Sequence, residues 1–294
     1  MRVFYSPDYV AAKHEFDTTR KAAWVADRIR DDVAITAPDI DYVEALIRRV
    51  HAPDYIDALA TGQPKVLAQS QGFDWDAGLW KGIKASTAGM VAAVDETLTH
   101  DRPSGSLSSG MHHAGYDYGN GFCSVNGLVV AAKHALDYYG TKVTILDLDA
   151  HAGGGTDNLL RRHEMTNVQH LDLTVSPFDT YRGVRHRTDR NFVMDEVDDW
   201  TYLVLVEHLL EQIPLWDDRL VIYNAGMDPY PTVSREALAK REVMVAEYLR
   251  RNRINVMFGL AGGYTWNQTP DEVADMHVLT VNAFANIPAP SIVS

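Results

Sequence analysis

The chain has 294 residues, 46% of them apolar and 23% charged, the proportions of a soluble globular protein and of a size normal for one large α/β domain. No apolar run of about 18 residues is present, which excludes a helical membrane span, and the net charge of −13 argues against a nucleic-acid partner. One cysteine, Cys123, excludes an internal disulfide and agrees with a reducing cytoplasm, and the segment Met1–Pro7 lacks the apolar core of a signal peptide.

Val3–Ser6 reads as a first strand. Ala22, Ala23, Val25, Ala26 and Ile29 form the apolar stripe of a helix over Thr18–Asp32. Asp41–Val50 is a second helix, and Pro53 with Asp54 starts a further helical turn. Residues 60–75 are irregular and polar, a surface loop expected near the site. A long alanine-rich helix covers about 76–99 and stops in the run Asp101-Arg102-Pro103-Ser104-Gly105. Ser106–Gly110 is expected as a strand delivering His112 and His113, with a Gly-rich turn at Gly119–Cys123. An amphipathic helix over Ser124–Tyr139 then crosses to the apolar strand Val143–Leu146. Strand, helix, strand is the signature of a parallel sheet. Thr156–His163 reads as a helix, Val168–Leu173 as a strand, 176–198 as loop and edge structure, and Thr201–Ile213 as a helix. Leu220–Tyr223 is a strand that ends near Asp228, and Ser234 caps a helix reaching Asn252. Ile254–Gly259 is a strand running into Gly262-Gly263-Tyr264, and a last helix spans about 270–286. No linker or repeat divides the chain, so 1–294 is expected to be a single catalytic domain.

After Leu146 the pattern becomes Asp147, Leu148, Asp149, Ala150, His151. Side chains alternate along a strand, so Asp147, Asp149 and His151 are expected on one face. Three ionisable groups on one face of a core strand are costly without a partner, and a divalent cation suits two carboxylates and an imidazole. Gly153–Gly155 then let the backbone turn sharply. Taken singly, each feature has a plain reading: helix-capping aspartates, structural histidines, a packing tyrosine, a turn aspartate before Pro229. Together, at the ends of several strands, they describe a site. Asp149, His151 and Asp228 would leave one metal position open, as in a catalytic zinc centre. His112 or His113 could move protons, Tyr264 could bond an oxyanion, and Asp147 could orient a histidine. Metal-assisted hydrolysis of an amide follows.

The motifs Gly110-Met111-His112-His113-Ala114, Gly121-Phe122-Cys123, Asp147–His151, Asn224–Asp228 and Gly262-Gly263-Tyr264 make the chain resemble the histone deacetylase and acetylpolyamine amidohydrolase family, over about residues 1–285. Asp147–His151, the Tyr223–Asp228 run and Ala239-Lys240-Arg241-Glu242 look most like the class IV branch and its bacterial relatives. The resemblance implies the arginase–deacetylase fold, a central parallel sheet with helices on both faces. It implies zinc on Asp149, His151 and Asp228, His113 as base and acid, His112 as its electrostatic partner, and Tyr264 as carbonyl polariser. It further implies Gly121 and Phe122 along the acyl channel, Asp74 as substrate-gripping carboxylate, and a structural potassium ion held partly by the Asp147 carbonyl, with Asp147 buttressing His112. The expected substrate is an acylated amine, an acyl-lysine or acylpolyamine. Two departures stand out. Gly154 occupies the position that in the family orients the second histidine, which leaves the placement of His113 open, and the loop after Asp228 is short. Two other readings remain: a two-manganese ureohydrolase-like enzyme, which would need further carboxylates where Ala152 and Gly153 stand, and a catalytically weak acyl-lysine-binding homologue.

Overall fold

The structure, a computed structural model, describes residues 1–186, 188–215 and 219–285. Eight strands form one parallel sheet: β1 (Arg2–Phe4), β2 (Ala34–Thr36), β3 (Ser104–Ser106), β4 (Lys142–Asp147), β5 (Val168–Thr174), β6 (Arg190–Val193), β7 (Arg219–Gly226) and β8 (Asn255–Ala261). Their order is β2-β1-β3-β8-β7-β4-β5-β6, and every neighbouring pair is parallel. Burial on both faces explains why the central strands read as continuous apolar runs.

Alternation along those strands feeds two cores. Val143 and Ile145 of β4, with Leu220 and Ile222 of β7, join the core beneath the helices Pro53–Thr61, Ala77–His100 and Gly127–His134. Leu146, Val221 and Tyr223 join the opposite core, beneath Asp17–Ala26, Asp199–Glu211, Arg235–Arg251 and Pro270–Ala285.

The sequence reading locates these elements with differences at their ends. The helix expected over 18–32 stops at Ala26, and β3 ends at Ser106, so Leu107–Gly110 run on without regular structure. Residues 60–75 are not all surface loop: Lys65–Ala68 is helical, and Ala68 and Gln71 are buried. Edge strand β2, exposed and three residues long, carries no apolar period that marks it. The Ser124–Tyr139 helix begins at Gly127, capped by Asn126, and passes into a π turn at Ala135–Tyr139. Ser234 does cap its helix, its hydroxyl accepting from the Ala237 N–H at 3.1 Å. Residue 286 of the last expected helix, and residue 187 of the 176–198 loop, lie outside the described residues.

Between β7 and the Arg235–Arg251 helix lies a buried polar network. Arg241 is fully buried; its Nε donates to Glu242 Oε1 (2.7 Å) and its Nη1 to the Tyr202 hydroxyl (2.9 Å) and the Leu148 carbonyl (3.2 Å). Tyr223 donates to the same Glu242 oxygen at 2.8 Å. The guanidinium thus anchors the chain immediately beyond β4 from below. Arg241→Met leaves a buried carboxylate without its counter-charge, so we expect a destabilisation of about 3–5 kcal/mol, read from urea unfolding; Arg241→Met/Glu242→Gln should recover part of it.

Candidate active site

Strands β3, β8, β7 and β4 are consecutive in the sheet, and a loop leaves the carboxyl end of each. Open α/β sheets place ligands at these ends. The four loops carry His112 and His113, Tyr264, Asp228, and Asp149 with His151.

The pleat of β4 stops at Asp147, so the expected common strand face for Asp147, Asp149 and His151 is not formed. Carboxylate-to-backbone turns replace it. The Asp149 N–H donates to Asp147 Oδ1 (3.3 Å), and the His151 N–H donates to Asp149 Oδ1 (3.0 Å). Asp228 reaches the same point, its Oδ1 accepting from the Ala150 N–H at 3.0 Å. A Cβ at Gly226 would sit 2.4 Å from the Asp149 Cα, so glycine is what lets β7 pass this close. His151 Nδ1 lies 3.3 Å from Asp149 Oδ1 and 3.2 Å from Asp228 Oδ2.

One ligand atom from each of these three residues lies within 4.8 Å of the others, and the buried Asp228 Oδ2 makes no hydrogen bond. An orphaned buried carboxylate oxygen facing an imidazole nitrogen and a second carboxylate fits a divalent cation. The carboxylates draw positive charge to this point, so a metal bound here would displace a proton from His151. Burial opposes a charge on His151, yet Asp149 and Asp228 outweigh it and raise its pKa to about 10. Burial likewise disfavours ionised Asp149, but His112 and His151 hold it well below the usual carboxylate range.

His112 and His113 stand beside this group. Their Nε2 atoms are 3.1 Å apart, and His112 Nε2 is also 3.5 Å from Asp149 Oδ1. The far nitrogens are each held by a carboxylate: His112 Nδ1 by Asp147 Oδ2 at 2.8 Å, His113 Nδ1 by Asp179 Oδ2 at 2.9 Å. Burial works against charge on both rings. For His112 the carboxylates Asp147 and Asp149 win, raising it to about 10; for His113 burial and the neighbouring His112 win, and its pKa falls. Asp147 is itself braced by Asn224 Nδ2 (2.8 Å) and lies in register with Asp172 on β5. Burial and the Asp147 charge raise Asp172 to about 8, against the Gly153 N–H that it accepts at 2.9 Å.

Tyr264 follows Gly262 and Gly263, both at positive φ (+55° and +79°). A Cβ at Gly262 would fall 2.2 Å from the Asp228 carboxylate, so the tyrosine loop can lie against the ligand group only with glycine there. Burial, then Asp228 and Asp149, push the Tyr264 hydroxyl well above its ordinary pKa, so it stays protonated. Its ring stacks on Trp266, centroids 4.7 Å apart. The N-terminal helix pins this loop: Lys21 Nζ donates to the Gly262 carbonyl, and Asp17 Oδ2 accepts from the Thr265 N–H. Lys21 is 1% exposed; burial lowers its pKa to about 8, although Asp228 and Asp149 favour its charge.

Aromatic rings wall the approach. Phe122, at φ +64°, packs on Phe16 (4.4 Å) and Phe73 (5.1 Å). Phe178 meets His113 and His151 edge-on, at 5.0 and 5.7 Å. Gly121 lies between them: a Cβ there would be 2.4 Å from the His113 ring and 3.0 Å from Phe178. Asp74 follows Phe73 and is exposed, its carbonyl bonded to His14 Nε2 at 2.6 Å. The short loop after Asp228 leaves the rim to Tyr230, Pro231 and Thr232 on one side and Trp266, Asn267 and Gln268 on the other.

All the residues singled out in the sequence thus gather here, Asp74 at the outer edge. Asp179, Phe178, Lys21 and Phe16 were missed. The first two lie in the charged, aperiodic 176–198 stretch, which carries no pattern. Lys21 had one usable signal: it sits four residues before Val25, on the apolar side of its helix.

A histone deacetylase domain matches residues 14–280. The chain belongs to the histone deacetylase family. A protein of Picosynechococcus described only as uncharacterized is 28% identical over 89% of this chain and 88% of its own. Acetylpolyamine amidohydrolase 2 of Pseudomonas aeruginosa is 26% identical over 72% of this chain and 64% of its own. The chain spans less than two thirds of the length of the amidohydrolases and deacetylases it matches. An acetylpolyamine aminohydrolase structure from Burkholderia pseudomallei superposes with a TM-score of 0.76 at 17% identity, over 97% of this chain and 99% of that one. The fold is therefore that of the arginase–deacetylase enzymes, as the motifs of this deacetylase-family chain implied.

The histidine loop is held from behind by His51, buried, with Nδ1 on the Gly115 carbonyl (2.8 Å) and Nε2 accepting from the Asn126 N–H (3.1 Å). Burial outweighs those bonds and lowers its pKa to about 4 from 6.5. Between those values the unfolded chain binds the proton and the folded chain does not, so stability falls as pH falls from 6.5 to 4. Urea midpoints measured across that window should decline, and His51→Gln should decline less steeply, with some slope kept by His170, which burial lowers to about 4 as well.

Proposed function

We propose that this chain is a zinc-dependent deacylase that hydrolyses N-acyl amines, acyl-lysine or acylated polyamine. The observation that carries the reading is the meeting of the Asp149–His151–Asp228 group, the two carboxylate-held histidines and the Tyr264 loop at adjacent strand ends. Zinc held by those three residues would supply Lewis-acid polarisation of the amide carbonyl and acidify water to a pKa of about 7.

The chain's own groups account for the rest. His113, kept neutral by burial and by the His112 cation, takes a proton at Nε2 from the attacking water while Nδ1–H stays on Asp179. His112, held charged by Asp147, stabilises the negative charge that grows on the carbonyl oxygen. Tyr264, whose hydroxyl keeps its proton, donates to that same oxygen. His113 then returns its proton to the leaving amine nitrogen. Phe122 and Phe178, with Gly121 between them, would line the acyl-bearing arm and exclude water from it. The net charge of −13 and the exposed Asp74 carboxylate favour a cationic amine at the rim.

Among the described residues one group of three ligands is found, which favours a single metal over the two-manganese reading. Retention of both held histidines and of a protonated tyrosine favours turnover over binding alone.

With zinc supplied, a panel from acetyl-lysine through long-chain acyl-lysines to acetylated polyamines should yield hydrolysis of at least one member. A chelator should abolish that activity and zinc restore it. Tyr264→Phe should lower kcat by roughly 10²–10³-fold, the loss typical of one oxyanion donor. Zinc content with no turnover anywhere on the panel would instead favour the binding homologue.

A further inference from the structure

We propose that Asp179 is the positioning residue of His113, and that position 154 is glycine because Asp179 occupies the space a side chain there would need. The inference rests on the deacylase reading and names how this chain completes its histidine pair.

Asp179 comes from the loop after β5, remote in sequence from every other element of the pair. Its Oδ2 lies 2.9 Å from His113 Nδ1, and its Oδ1 accepts from Asn120 Nδ2 at 3.2 Å, so both oxygens are engaged and the carboxylate plane is set. The side chain is 16% exposed, enough burial for the contact to fix one ring orientation. The backbone is arranged for this contact. Asp179 sits at φ +55°, a left-handed conformation that aspartate tolerates better than most residues. The preceding Phe178 carbonyl is tied to the Ala152 N–H at 3.1 Å, in the same loop as His151.

Gly154 supplies the second observation. A Cβ built there would fall 2.7 Å from Asp179 Cγ and Oδ1 and 2.4 Å from the Asp179 carbonyl oxygen. Side-chain volume at 154 and the carboxylate at 179 are mutually exclusive. The glycine is not there for its own backbone: its φ lies outside the left-handed region, and it opens the helix Gly154–Arg162, where alanine is the better helix former. What it provides is room. The carboxylate fixes His113 with its proton on Nδ1, which leaves Nε2 as the atom that can accept one.

The test uses two readouts on the full chain. The first is steady-state kinetics on the best substrate of the panel, with zinc content measured. The second is the His113 Nδ1–H proton resonance in selectively ¹⁵N-histidine-labelled protein, assigned by its absence in His113→Gln. Asp179→Ala should lower kcat by about 10–100-fold, with KM within about twofold and zinc content unchanged, and should abolish the downfield Nδ1–H signal. Asp179→Asn, which keeps an oxygen acceptor, should retain that signal and an intermediate kcat. Gly154→Ala, by displacing Asp179, should copy Asp179→Ala in both readouts although it favours the helix. Unchanged kcat or a persisting signal in Asp179→Ala overturns the proposal, and so does Gly154→Ala behaving as the parent. If the parent chain hydrolyses nothing on the panel, the deacylase reading fails while the resonance still decides what Asp179 does.

Discussion

The rest of the structure depends on confining negative charge where water cannot reach it. Asp147 and Asp149 are almost wholly buried at the carboxyl end of the sheet, Asp228 completes the group nearby, and burial and Asp147 keep the adjoining Asp172 protonated near neutral pH. A buried ion costs several kcal/mol unless it is paired and fully hydrogen-bonded. The fold answers each oxygen separately. Backbone N–H groups of Asp149, Ala150, His151 and Gly153 point at them, Asn224 braces Asp147, and the cations of His112 and Lys21 lie close by. One oxygen, Asp228 Oδ2, faces His151 Nδ1 at 3.2 Å but makes no hydrogen bond. That remaining deficit is what suits the cluster to a divalent cation.

Support for this arrangement comes from both layers of helices. Arg241 holds the Leu148 carbonyl from one face, and His51 and Asn126 hold the histidine loop from the other. Asn126 does two jobs: its Oδ1 caps the Gly127–His134 helix, and its Nδ2 reaches the carbonyls of His112 and Ala114. A helix cap is therefore also a brace for the pair of imidazoles. Close approaches finish the packing, at Gly226 against Asp149 and at Gly262 against Asp228, where any side chain would push the loops apart.

Much of this was legible in the residues. The central strands announce themselves because burial on both faces demands unbroken apolar runs, and chemistry placed at their ends has nowhere else to go than the same edge of the sheet. The family motifs singled out Asp149, His151, Asp228, the two histidines and Tyr264, which the fold gathers at one edge of the sheet. Asp149 and His151 do meet, but not by sharing a strand face, since the pleat ends at Asp147 and local turns do the aiming. Gly154 was recognised as a departure, but its counterpart was invisible: Asp179 meets His113 across 66 residues of sequence, from a stretch without period. Edge strand β2 escaped for a simpler reason, being three residues long and half in solvent. Contacts made by single polar side chains over long separations leave no pattern in a linear chain.

One of those contacts couples distant parts of the chain. The Gly262 carbonyl, which begins the turn carrying Tyr264, is held by Lys21, and 241 residues of chain separate the two. The placement of the tyrosine turn is consequently tied to the docking of a helix from the far side of the sequence, and loosening that helix loosens the turn.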